Sequence, residues 1–151
     1  MKKRKFSLES ILDLRSFHER EQATRFGSAL NTQVKIESHL TSHREDLHKM
    51  RQKRDSILKL GNLDVKKLKY IQEEILFAEI DENVLEKKLV NAVDTTERER
   101  RAWINKKSEK DALGKLKEKH VDSVTKEMIG DEQKDIDEVA RMKYSQKEEE
   151  K

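Results

Sequence analysis

The stretch Leu60-Gly61-Asn62-Leu63-Asp64 is the one convincing turn signal in a chain of 151 residues that contains no proline. Gly61 suits the left-handed conformation that ends a helix. Asp64 is a good N-cap, and Leu63 with Leu68 forms a hydrophobic staple for the helix that follows. Both flanks read as uninterrupted helix, the state proline disrupts most. A turn this short forces the two helices antiparallel. Folding about residue 62 sets residue i opposite about residue 124 − i, which predicts a hairpin roughly 80 Å long.

Upstream of the turn, Ser7 is the expected N-cap of a first helix over about 7–60, with Phe6 and Ile11 as its staple. A seven-residue repeat follows. Leu12, Glu19, Phe26, Gln33, Leu40, Leu47 and Arg54 take position a. Leu8, Arg15, Gln22, Ala29, Ile36, His43, Met50 and Ile57 take d. Nine of these 15 are apolar against 33% for the chain, so the seam is a coiled-coil seam, though a leaky one.

Downstream, a second helix is expected over about 65–145. Its a positions are Leu68, Ile75, Glu82 and Leu89, and its d positions Ile71, Ala78, Leu85 and Ala92. Seven of these eight are apolar, which makes this the best seam in the chain. Beyond Ala92 the repeat weakens through Thr96, Glu99 and Lys106, with Trp103, Leu113 and Val124 holding. Leu116, Val121 and Met128 lie off it, which predicts a stutter. Gly130-Asp131 marks a kink or a restart. The second helix outruns the first by about 28 residues, roughly 40 Å. That overhang carries Val121, Val124, Met128, Ile136, Val139 and Met142 without an intramolecular partner. A docking segment and a frayed tail both fit. The expected fold is all-α: one antiparallel two-helix coiled-coil hairpin, residues 1–151, with a long C-terminal helical overhang.

Composition agrees. Charged residues make up 43% of the chain, and there is no cysteine. Those figures exclude a disulfide scaffold and a cysteine-ligated metal, and argue against a pocketed enzyme. The reducing cytoplasm accommodates zero cysteines most easily. Residues 1–63 hold 14 Lys/Arg against 8 Asp/Glu, and residues 64–151 hold 20 against 23. Opposite signs on the two halves suit segments that pair with each other. No apolar run approaches the roughly 18 residues of a membrane span. The basic opening Met1-Lys2-Lys3-Arg4-Lys5 imitates a signal peptide, but Glu9, Asp13 and Arg15 interrupt the apolar stretch that should follow.

Chemistry-bearing motifs are nearly absent. His39 and His43 stand one helical turn apart, with His48 beyond, but Glu37 and Asp46 do not complete a zinc site. No phosphate-cradling loop or Ser/His/Asp set is present, and carboxylates on solvated helices make poor acid–base pairs. No catalysis, metal or cofactor is expected. Arg44 to Arg54 holds five Lys/Arg against two Asp/Glu, yet no aromatic ladder accompanies it, so a solvated face is preferred to nucleic-acid binding. One apolar set is displaced from the seam. Tyr70, Phe77 and Val84 all fall at position c and drift only about 20° per heptad. Ile80 lies one turn along this stripe and Leu76 flanks it. Such residues leave water only through a partner or self-association, with incidental exposure as the plain alternative, and partner binding is the preferred reading.

Two terminal motifs do not follow from the heptads. Phe6-Ser7-Leu8-Glu9-Ser10-Ile11-Leu12-Asp13-Leu14-Arg15 resembles the opening of FliJ-type proteins of the flagellar type III export apparatus. Glu132-Gln133-Lys134-Asp135-Ile136-Asp137-Glu138-Val139-Ala140 is similar to that family's ending. Leu68-Lys69-Tyr70 and Leu116-Lys117-Glu118-Lys119-His120 resemble its middle segments, so the likeness spans nearly the whole chain. Glu19, Gln33 and Arg54 in the seam depart from a secure register.

The resemblance implies a non-enzymatic stalk similar to the central shaft of rotary ATPases. It would sit in the pore of the hexameric flagellar export ATPase and promote its assembly. It would also contact the cytoplasmic domain of the export gate and the export chaperones. The termini would meet the ATPase through Leu8, Ile11, Leu12, Gln133, Ile136, Asp137, Val139 and Ala140. The gate would meet Tyr70, Leu76, Phe77, Ile80 and Val84. A cytoplasmic location, peripheral to the inner membrane at the flagellar base and without direct membrane insertion, would follow, with a role in motility and chemotaxis. An injectisome stalk of the same architecture and a homo-oligomeric coiled-coil scaffold are the alternatives.

Overall fold

Backbone bonding at the turn shows how each helix is terminated. A computed structural model describes residues 4–62 and 64–149. The Asp64 carboxylate accepts the backbone N–H groups of Lys66 and Lys67 at 3.1 and 3.3 Å, and its carbonyl accepts Leu68 N–H at 3.0 Å. It is the N-cap that the sequence predicts. The Leu63–Leu68 staple lies outside the described residues. Gly61 departs from expectation, because no described glycine has positive φ. The preceding helix ends instead through a tightened bond from Leu60 N–H to the Ile57 carbonyl, 3.3 Å. That 3₁₀ closure satisfies an orphan carbonyl without a left-handed residue.

The helices are α1, Glu9–Lys59, and α2, Val65–Glu149, with no strand among the described residues. They pack as an antiparallel two-helix coiled-coil hairpin in which α2 outlasts α1. Ser7 does not cap α1. The first i→i+4 bond runs from Leu12 N–H to the Leu8 carbonyl at 2.9 Å, so Leu8 holds the cap position. Phe6 meets the His120 ring, centroids 5.6 Å apart, while Ile11, its expected staple partner, is exposed. Through Gly130-Asp131 the helix runs on without a restart.

Two compact units divide the chain. In Arg20–Ile104, Leu40, Leu47, Ile71, Ile75, Ala78 and Leu85 are buried, Leu47 to 1% exposure. Leu47, Ile71, Ile75 and Ala78 form one cluster, with Met50, Ile57 and Leu68 packed against it. Each fully buried aliphatic side chain is worth roughly 1.5–3 kcal/mol. Around this strip Arg44 bonds Glu82 and Glu86 at 2.8 and 2.7 Å, and Arg51 bonds Glu79 at 3.0 Å. Exposed pairs of this kind contribute about 0–1 kcal/mol, so they set register more than stability. His43 Nε2–H donates to the Ala78 carbonyl at 2.7 Å, and Phe26 stacks on Trp103 with centroids 5.7 Å apart.

The other unit, residues up to Glu19 with those from Asn105 onward, is held more by charge. Lys117 bonds Glu9 at 2.7 Å, Lys110 approaches Glu19 at 3.8 Å, and Arg15 and Arg4 pair with Glu109 and Glu127. These pairs account for the stutter that does not occur. Along α2, Thr96, Glu99, Trp103, Lys106, Lys110, Leu113, Lys117, His120 and Val124 are all buried or half-buried, so the alternating three- and four-residue spacing persists. Leu116, Val121 and Met128 remain exposed. Polar seam residues keep the register because long stems lie along the interface while their charged ends find partners at its edge.

Candidate partner-docking surfaces

The c-position stripe lies on α2 within Arg20–Ile104, and the burial pattern fixes its direction. Ile71, Ile75, Ala78 and Leu85 face α1 and are buried. Tyr70, Leu76, Phe77, Ile80 and Val84 are exposed, from 65% at Phe77 to 46% at Val84. Residues seven apart return to one helical face, so Tyr70, Phe77 and Val84 form a continuous line. The Tyr70 phenol is raised from its ordinary value, first because it donates a hydrogen bond to Glu74 and then because that carboxylate is negative. Tyr70 is 65% exposed with that bond made.

The second candidate set does not form one patch. Leu8 and Leu12 are half-buried in the seam, and only Ile11 of that trio is exposed. Gln133, Ile136, Asp137, Val139 and Ala140 are all exposed, as is every described side chain after Val124. Among the described residues, the ion pair across the hairpin that lies farthest along α2 is Arg4 with Glu127. Leu8 neighbours the Glu9–Lys117 pair, and Gln133 lies roughly 24 Å further along the helix. The N-terminal and C-terminal residues are therefore separate surfaces.

Sequence reading overlooked Leu14 and Phe17 on α1, and Leu58, Leu60 and Val65 around the turn, all exposed. Their off-seam positions were the available signal. A hollow of about 510 Å³ bordered by Leu12, Ser16, Lys110 and Gly114 is an open furrow. Among the described residues no group of three His, Cys, Asp or Glu side chains is placed to hold a metal. No described helix is long and apolar enough to cross a membrane.

With this geometry in place, comparison with family models finds a match to "Flagellar FliJ protein" over residues 4–149. The chain belongs to the FliJ family. It is thereby a flagellar export-apparatus protein, and the match favours the flagellar system over the injectisome alternative. Comparisons with curated proteins and with solved structures yield no match. The match includes both terminal motifs, Phe6 to Arg15 and Glu132 to Ala140, on which the resemblance rests. In this FliJ-family chain Phe6, Leu8, Glu9, Leu12 and Arg15 of the first motif are half-buried, whereas the second motif is wholly exposed.

Proposed function

We propose that this protein is a coupling stalk of the flagellar type III export apparatus. The overhang around Ile136 and Val139 docks into the hexameric export ATPase and favours its assembly. The stripe of Tyr70, Leu76, Phe77, Ile80 and Val84 engages the cytoplasmic domain of the export gate, and export chaperones use the same hairpin. The observation that carries this reading is the exposure of the stripe beside a seam already complete without it. Large apolar side chains facing water gain free energy only when a partner covers them. A two-helix hairpin with separated contact surfaces links partners through binding, the stalk acting by contact. Peripheral residence at the inner membrane then follows from the gate contact.

The test is Tyr70→Ala, Phe77→Ala and Val84→Ala combined. Helicity and thermal melting should be nearly unchanged, since alanine is the best helix former. Gate binding should weaken sharply, because each buried side chain is worth roughly 1.5–3 kcal/mol. Normal gate binding by a folded triple variant would overturn the assignment of this surface.

A further inference from the structure

The overhang is divided by charge as well as lacking an intramolecular partner. Past Glu127, which pairs with Arg4, the acids Asp131, Glu132, Asp135, Asp137 and Glu138 have Lys134 as the one positive charge within their stretch, and it approaches Asp131 at 3.5 Å. Arg141, Lys143 and Lys147 follow without an acid between them, ahead of Glu148 and Glu149, which an axis at Val139 sets opposite the uncharged Gly130 and Ile129. Val139 stands at the changeover. Ile136 and Met142, three residues to either side of it, are 67% and 64% exposed, and Met128 and Val139 are also exposed. Ile136, Val139 and Met142 lie along one side of the helix at i, i+3, i+6.

We infer that the overhang pairs antiparallel with the overhang of a second copy of this chain, about an axis at Val139. That alignment sets Val139 against Val139 and Ile136 against the Met142 region. It brings the acidic block containing Asp131, Glu132 and Asp135 alongside the basic block containing Lys143 and Lys147. A parallel alignment would stack each block on its own copy, which repels. The available length also fits. Glu149 of one copy falls opposite Ile129 of the other, beyond the Arg4–Glu127 contact, so the paired stretch is helix whose described side chains are all exposed. Few apolar residues and many charges make the association weak, reversible and salt-sensitive. It shares Ile136 and Val139 with the proposed ATPase-docking surface but does not rest on that reading. Self-pairing would cover these side chains until the ATPase displaces the second copy.

Sedimentation of the isolated full chain at several concentrations and two salt levels tests the pairing. One variant carries Asp131→Lys and Asp135→Lys, the other Lys143→Glu and Lys147→Glu, with helicity checked for both. Each alone should lose self-association by about tenfold or more, and an equimolar mixture should recover it as a heterodimer. Val139→Cys should oxidise to a disulfide-linked homodimer. Ile136→Cys and Met142→Cys should crosslink to each other far better than either does to itself. A chain monomeric at all concentrations, charge variants that associate normally, or a mixture that fails to recover would each overturn the proposal. Equal self-crosslinking at positions 136, 139 and 142 would do the same by showing a parallel pair.

Discussion

At Gly61 a Cβ would meet nothing within 4 Å, and the backbone is not in the positive-φ region. Gly61→Ala should therefore stabilise the protein by about 0.4–1 kcal/mol in denaturant unfolding, chiefly by restricting the unfolded chain. A loss of stability would restore the left-handed turn expected from sequence. At Glu97, hydrogen bonds from Arg100 and then Arg101 lower the carboxyl pKa to about 2. A carboxylate depressed in the folded state stabilises folding above its unfolded value and loses that contribution as pH falls through the folded value. The Glu97 contribution should thus fade between the ordinary carboxylate range, about 4.5, and about 2. Site-resolved NMR titration should show a midpoint near that lower value, moving up in Arg100→Ala. Both side chains of the Glu97–Arg100 pair are substantially exposed on one helix, so its signature belongs to titration more than to global stability.

Along α2, the decisive contrast is between Leu113 and Leu116. Leu113 is half-buried in the persistent heptad and Leu116 is exposed. Leu113→Ala should cost about 1–3 kcal/mol, below the range for a fully buried leucine, while Leu116→Ala should stay within about 0.5 kcal/mol of wild type. The reverse order in denaturant melts would reinstate the stutter. Much of each element was legible beforehand. Proline absence, the Asp64 cap and the a/d spacing gave two helices and the correct seam face. What misled was weighing the apolar Leu116, Val121 and Met128 above the continuing spacing, which already included Lys106. Lys106, Lys110 and Lys117 occupy that line through their stems, which a hydrophobic pattern cannot register. The contact between Phe6 and His120 was hidden for a related reason, since it joins residues far apart in sequence. Exposure of the c-position stripe and of the overhang was readable from periodicity, but the separation of Leu8 from Gln133 required the seam to be traced residue by residue.

For the molecule as a whole, the charge imbalance between the chain halves corresponds to contacts: Arg4, Arg15, Arg44 and Arg51 each pair with glutamates of α2. The apolar cluster around Leu47 and Ile75 lies wholly within Arg20–Ile104. Removing residues 131–151 should consequently leave the unfolding midpoint reported by Trp103, the single tryptophan, nearly unchanged. The same deletion should sharply reduce stimulation of the export ATPase, and full stimulation would remove the overhang from the proposed docking surface. The placement of the cluster also bears on how the chain acquires its structure. Leu47 finds Ile71 and Ile75 after only a short loop closes, whereas Arg4 waits for Glu127 at a separation of 123 residues. Loop-closure entropy favours the nearer partners first. Folding should nucleate beside the turn and zip toward the chain ends, even during synthesis. Opening should retrace that path, with amide exchange slowest near Leu47 and Ile75 and fastest toward the termini.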